Sequence, residues 1–159
     1  DMNLAYANEA TDPDFFYQNV IAAIDDQLKL NRLDSRAYYM KAVAYEKRGE
    51  IDRAFDNYKK ALKINPMNDW NIYLSYARLL SSQGNWVELR DLAIKIEPLM
   101  EQYFEYAENN VHFTSYTPNI EAFAELVRIL SPNQKPELLD KLPAMLQTVE
   151  EMRVAKIIQ

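Results

Sequence analysis

Apolar side chains recur along most of the chain at intervals of three and four residues, the spacing of an amphipathic helix. The pattern is interrupted at Gly49, at Gly84 and at several prolines. Glycine adopts the left-handed conformation that ends a helix at little cost, and proline disfavours helix for the residue before it. Because the chain has only these two glycines, helices are expected to fill most of it. The pattern therefore predicts an all-α protein.

The longest apolar stripe begins at Trp86 and continues for roughly 20 residues. Pro98 lies inside the stripe and predicts a kink, or a break into two helices, near residues 96–97. Glu97, Glu101 and Glu105 lie four residues apart on the same segment. These carboxylates form either a solvated outer face or an acidic face for a basic partner, and the sequence leaves both interpretations open.

The C-terminal part begins with a polar and aromatic loop, NNVHFTSYTPN, over residues 109–119. This loop contains His112, the only histidine of the chain. One helix is predicted to follow the loop, and a last helix is predicted from Pro136 with a kink at Pro143. We expect these helices to cap the rest of the fold.

The segment Ser35–Asn68 is predicted to form two helices joined by a turn. Its aromatic, small and turn-forming residues fall at fixed intervals, at Tyr38, Ala42, Tyr45, Gly49, Ala54, Tyr58, Ala61 and Pro66. This arrangement resembles the tetratricopeptide repeat (TPR), a helix–turn–helix unit of about 34 residues. Lys41 departs from the pattern, because a leucine is usual at its position. Such a unit cannot bury its apolar face alone and needs stacked neighbours.

Less regular copies of the unit flank this repeat. Residues 12–34 resemble a degenerate half repeat, and residues 70–104 resemble a diverged repeat with Gly84 at its turn. Residues 105–159 hold the loop and the capping helices. The resemblance implies antiparallel helix pairs stacked as a short right-handed superhelix, with a non-repeat helical cap at the C-terminus. We therefore expect a single helical-repeat domain over residues 1–159.

Composition and charge narrow the chemistry that the chain can perform. It has no cysteine and one histidine, and two isolated glycines cannot build a phosphate-binding loop. Ser115 lies near His112, but its surroundings lack the context of a nucleophile elbow. We expect no enzyme activity, no metal and no cofactor. The net charge of −6 disfavours nucleic acid as a partner. Without a run of about 18 apolar residues, no membrane insertion is predicted.

The resembled family commonly binds peptides in a concave groove lined by the first helix of each repeat. Transferred to this chain, the groove positions are Arg36, Tyr39, Val43, Glu46 and Lys47 in the central repeat, and Asn71, Leu74, Ser75, Arg78 and Ser82 in the next. The resemblance thus implies a non-catalytic interaction or scaffold module with a protein or peptide partner. A groove with these arginines and apolar side chains would suit an extended segment that carries apolar and acidic residues.

A second hypothesis is a soluble accessory domain of a larger membrane-associated protein, which the repeats would position or oligomerise. Repeats followed by segment 109–119 and two helices resemble the soluble C-terminal regions of bacterial membrane proteins that polymerise or ligate surface polysaccharide. The chain would then be a fragment and not itself the catalyst. Both cytoplasm and bacterial periplasm stay open as locations. Under either hypothesis, an uncovered apolar stripe on the first or last helix would pair with another copy, giving a homo-oligomer.

Overall fold

The structure, a computed structural model, describes residues 11–66, 69–109, 117–147 and 150–151. Regular structure within these residues is helical, which confirms the all-α prediction. The helices are α1 (Pro13–Leu30), α2 (Ser35–Lys47), α3 (Ile51–Ile64), α4 (Trp70–Ser82), α5 (Trp86–Asn109), α6 (Thr117–Leu130) and α7 (Pro136–Asp140). The chain divides into two compact units, residues 1–66 and residues 67–159. A single domain over the whole chain stays a prediction.

In the first unit, α1 and α2 share a small apolar core. The buried members of this core are Ile24, Leu28 and Ala37, and Val20 and Tyr38 pack against them. Lys41 stands where leucine is usual, and its ammonium lies 2.5 Å from the carboxylate of Asp25 on α1. The unusual lysine therefore adds an ion pair between the two helices, which explains how the repeat accommodates it.

The hairpin of α2 and α3 is built on small residues around one large ring. Ala42, Ala54 and Ala61 have no exposed surface, and neither has Tyr58. Alanines at a helix crossing let the two backbones approach closely, so the Tyr58 ring fills the remaining space. The Tyr58 hydroxyl donates a hydrogen bond of 2.8 Å to the Glu46 carboxylate on α2. The ring is thus buried while its polar end has a partner.

Both glycines end helices in the left-handed conformation, with φ of 74° at Gly49 and 66° at Gly84. After α2, the Glu50 N–H donates to the Tyr45 carbonyl at 2.9 Å, and the Gly49 N–H donates to the Glu46 carbonyl at 2.9 Å. These two bonds form a Schellman motif, which satisfies carbonyls at the end of the helix. The same pair of bonds ends α4 at Gly84. The sequence-based prediction of both turns is confirmed.

In the second unit, α4 contacts both α5 and α6, and aromatic rings meet at their junction. The ring centroid of Trp70 lies 5.3 Å from that of Tyr103 on α5 and 4.8 Å from that of Phe123 on α6. Tyr103 and Phe123 are themselves 4.6 Å apart. Such ring pairs stabilise a core beyond their buried area. The first of the predicted capping helices, α6, therefore packs directly on α4.

The break predicted near residues 96–97 does not occur, because α5 runs from Trp86 to Asn109 with Pro98 inside it. A proline cannot donate the hydrogen bond to the carbonyl four residues earlier, which here belongs to Ile94. Both Pro98 and Ile94 are exposed, so water can bind the carbonyl that loses its partner. On the buried side of the helix, the residues that anchor it remain in register.

The C-terminal helices are short. A 3-10 turn, Ser131–Asn133, leads from α6 to α7, which ends at Asp140. Residues 142–147 are helical again after a turn at Lys141. The interruption lies two residues before Pro143, in agreement with the predicted distortion at this proline.

Candidate functional site

One line of largely exposed side chains runs along α2. Arg36, Met40, Val43 and Lys47 recur at intervals of four, three and four residues, so they fall within about 60° of one another around the helix axis. Three of them are exposed, and Val43 is half-buried. We name these four residues the α2 face. It has a cation near each end and two apolar side chains between them.

The other two α2 residues predicted for the groove, Tyr39 and Glu46, flank the α2 face on the side of α3. The ring centroid of Tyr39 is 6.1 Å from that of Tyr58. Glu46 accepts the hydrogen bond from the Tyr58 hydroxyl described above. Both side chains therefore border the interface between α2 and α3. Of the five groove residues predicted on α2, the helix brings three together on one face and turns two to its edge.

The two cations at the ends of the α2 face are not neutralised by an acidic side chain of the described residues. Arg36 and Lys47 form no ion pair there, whereas the next residue, Arg48, lies 2.8 Å from both Asp14 and Glu50. Eleven residues separate the two cations in sequence, which is about 16 Å along a helix. A ligand that contacts both must therefore be extended along α2.

The groove positions predicted on α4 form a more polar line. Asn71, Ser75, Arg78 and Ser82 follow the same four–three–four spacing as the α2 face. The Asn71 amide donates to the Asp69 carboxylate at 2.9 Å, and the Ser82 hydroxyl donates to the Leu79 carbonyl at 2.9 Å. Leu74 is turned aside from this line and is only 6% exposed. It belongs to the core of the described structure and offers little surface to a ligand.

The charge of Arg78 already has a partner in the second unit. Its Nε donates to the Glu125 carboxylate at 3.0 Å, and its Nη2 donates to the same oxygen at 2.5 Å. Glu125 lies on α6, so the contact links the two helices that pack at this junction. An acidic ligand would have to displace this carboxylate to bind Arg78. Among the predicted groove positions, the cations that form no ion pair within the described residues are those of the α2 face.

The acidic segment of α5 also has a partner within the chain. Lys135 donates its backbone N–H to the Glu97 carboxylate at 2.9 Å and its ammonium to the Glu101 carboxylate at 2.9 Å. The hydrogen bond to Glu101 raises the pKa of Lys135, and the Glu97 carboxylate adds to the effect. Two of the three carboxylates thus anchor the segment before α7. This intramolecular role differs from both interpretations that the sequence left open.

Several sequence-based candidates lie outside the described residues. These are His112, Ser115 and most of segment 109–119, so the interpretation built on that segment stays a prediction. Among the described residues, no group of acids is arranged to hold a metal ion. No helix in the described ranges combines the length and the apolar character needed to cross a bilayer.

Comparison with known families supports the repeat. Residues 35–68 match the model of the tetratricopeptide repeat. No curated protein matches the chain. The segment that the structure folds as α2, the Gly49 turn and α3 is therefore a tetratricopeptide repeat, which confirms the resemblance found in the sequence. Repeats of this family are typically interaction modules without catalytic activity of their own, which indicates a protein partner.

Three of the residues described above were not predicted. Met40 completes the α2 face, and its four-residue spacing from Arg36 could have revealed it. Glu125 and Lys135 pair with residues 47 and 34 positions away in sequence. No local spacing indicates such pairs, because they depend on how the helices pack.

Proposed function

We propose that the chain is a non-catalytic protein–protein interaction module, and that the α2 face binds an extended acidic segment of its partner. The observation that carries this proposal is a pair of cations, Arg36 and Lys47, that are exposed at the two ends of one helix face and form no ion pair among the described residues. Met40 and Val43 lie between them. The tetratricopeptide repeat match supports the same class of function.

The geometry of α2 also specifies the spacing of the acids in the partner. The cations are about 16 Å apart along the helix, and an extended chain advances about 3.3 Å per residue. Successive side chains of an extended segment point to opposite sides, so two acidic side chains about four or about six residues apart would face α2 together and reach both cations. Met40 is unbranched and adaptable, so the intervening residues are expected to be apolar without strict shape requirements.

The groove positions predicted on α4 lie in the second unit and stay a prediction from the sequence. The charge of Arg78 is offset by Glu125, and the Asn71 amide and the Ser82 hydroxyl already donate hydrogen bonds within the chain. The preference for acids is therefore proposed for the α2 face alone.

The proposal is tested by panning a library of random 12-residue peptides against the chain. We expect the enriched peptides to carry two acids about four or about six residues apart with apolar residues between them. Their affinity should fall about threefold to tenfold in Arg36→Gln and in Lys47→Gln, since each substitution removes one charged contact at an exposed site.

Lys63→Gln is a matched control, because Lys63 is a last-turn lysine of α3 as Lys47 is of α2. Both substitutions remove the same favourable interaction with a helix C-terminus. Only Lys47→Gln should weaken binding. Equal losses in the two variants, or enriched peptides without acids, would contradict the proposal.

A further inference from the structure

The segment after the 3-10 turn is fastened to α5 by its first two residues. The side-chain amide of Gln134 donates to the Ala93 carbonyl at 3.1 Å and to the Met100 sulfur at 3.0 Å. The next residue, Lys135, makes the contacts to two carboxylates of α5 described above. We name residues 134–147, which begin with these two side chains and include α7, the strap.

The polar contacts that fasten the strap are weak ones. The side chains of Lys135 and Glu101 are 58% and 41% exposed, and an ion pair exposed to this extent contributes little and is screened by salt. The side-chain carbonyl of Gln134 is buried and has no hydrogen-bond partner among the described residues. A buried acceptor without a partner costs free energy that the other contacts must offset. The attachment of the strap should therefore be weak and sensitive to ionic strength.

The remainder of the strap is ordered only while it is docked. Leu138, Leu142 and Met145 are buried, so apolar burial favours the docked state. The helical structure of the strap is interrupted, because α7 has five residues and a turn at Lys141 follows it. Isolated helices this short are not stable in water. A strap that leaves α5 should therefore lose its helical hydrogen bonds as well.

The helix beneath the strap is held in place by other contacts. The ring centroid of Phe104 on α5 lies 5.0 Å from that of Phe123 on α6. Tyr103 contacts the rings of Trp70 and Phe123 at the junction described above. None of these ring contacts among α4, α5 and α6 uses a residue of the strap. The three helices can therefore stay packed when the strap is undocked.

We propose that the strap undocks from α5 as a unit while α4, α5 and α6 stay folded, and that the ion pairs of Lys135 make this opening depend on ionic strength. Segments held by exposed polar contacts open at a lower free energy than the core of the same protein. Opening frees the Glu97 and Glu101 carboxylates together and uncovers the Met100 sulfur beneath Gln134. The strap thus controls whether the acidic segment of α5 is accessible. This inference is independent of the binding proposed for the α2 face.

The test is amide hydrogen exchange, followed by NMR on the 159-residue chain. The backbone N–H groups of Leu138, Lys141 and Met145 donate to carbonyls within the strap, so they are protected only while it is folded. We expect them to exchange about tenfold or more faster than the protected amides of α6. Raising the salt concentration from about 0.05 M to about 0.5 M should accelerate exchange in the strap about twofold to fivefold, with α6 as the unchanged internal reference.

Two variants assign the effect to the ion pairs. Lys135→Gln should accelerate exchange in the strap about threefold to tenfold and remove its salt dependence, because the charged contacts to α5 are lost. Lys95→Gln is the matched control, since Lys95 is an exposed lysine of α5 that forms no ion pair among the described residues. It makes the same change in net charge and should leave the strap unaffected.

Three results would overturn the proposal. Strap and α6 amides that exchange at the same opening free energy would show that the strap unfolds only with the rest of the second unit. Exchange in the strap that responds neither to salt nor to Lys135→Gln, or to only one of them, would show that the ion pairs do not control opening. Equal acceleration in Lys95→Gln would show that net charge alone is responsible. Faster, salt-independent exchange confined to the strap of Lys135→Gln supports the proposal.

Discussion

At the scale of single residues, α3 and α5 bury side chains of opposite size at equivalent repeat positions. In the matched repeat, Tyr58 is a large ring on α3 between the small Ala54 and Ala61, and all three are fully buried. At the equivalent positions of α5, Ala93 lies between the larger Leu89 and Ile96, and all three are again buried. The large side chain is central on α3 and the small one is central on α5, so the total buried volume is redistributed among the three positions rather than lost. This exchange explains why the sequence pattern weakens after Gly84.

Gly49 allows a prediction about backbone conformation. Its φ is 74°, and a Cβ added there would meet nothing within 4 Å. Gly49→Ala should therefore destabilise the fold through backbone strain alone, by about 1–2 kcal/mol. Gly49→Asn should cost less, because asparagine tolerates the left-handed conformation. Urea unfolding followed by circular dichroism measures both values. An alanine variant as stable as the unmodified chain would show that the turn has another conformation.

At the scale of helices, the second unit depends on the aromatic junction of α4, α5 and α6. The ring contacts are those of Trp70, Tyr103 and Phe123. The ring centroid of Tyr73 lies 5.6 Å from that of Trp70. Burial raises the pKa of Tyr73 to about 12 and that of Tyr103 to about 12. These hydroxyls therefore stay protonated at a pH where an ordinary tyrosine ionises.

The raised tyrosine pKa values predict that the fold loses stability in alkali. In the unfolded chain both hydroxyls ionise near pH 10, while in the folded chain they do so near 12. The unfolded state thus binds fewer protons between these values, so stability should be full below pH 10 and fall as the pH rises towards 12. Tyrosine absorbance during an alkaline titration should show a late-titrating fraction, which Tyr73→Phe should reduce. Uniform titration of all tyrosines near pH 10 would contradict the buried placement.

The sequence indicated local features of the fold and missed those that depend on packing. The glycine turns and the small residues of the hairpin follow from backbone preference and helical spacing, and both were predicted. Of the two outcomes predicted at Pro98, a kink or a break into two helices, the break does not occur. Sequence alone does not show that this proline lies on the exposed side of its helix, where water can bind the carbonyl that loses its partner. The Lys41–Asp25 pair could not be predicted either, since it requires α1 and α2 to be already in contact.

In the candidate site too, some features follow from the local sequence and others depend on packing. Arg36, Val43 and Lys47 share a face because helical spacing places them there, and the sequence is sufficient for that. Whether a cation is available depends on its surroundings. Arg78 occupies the same repeat position as Val43, but the fold supplies Glu125 to it. Only the packed structure separates Arg78, which is already paired, from Arg36 and Lys47, which form no ion pair among the described residues.

At the scale of the whole molecule, the net charge of −6 opposes an acidic partner at long range. At physiological ionic strength, charges are screened over about 8 Å, so a ligand on the α2 face responds mainly to Arg36 and Lys47. Raising the ionic strength further should weaken binding, because these cations are exposed to solvent. The chain is thus expected to bind acidic segments through local cations despite its overall charge.

The most direct test of this account is isothermal titration of the chain with two peptides of identical composition. One peptide carries two glutamates about four residues apart with apolar residues between them, and the other carries the glutamates side by side. The account predicts that the first binds about tenfold more tightly, because only that spacing reaches both Arg36 and Lys47. Equal affinity of the two peptides, or tighter binding of the second, would contradict the assignment of the α2 face as the binding site.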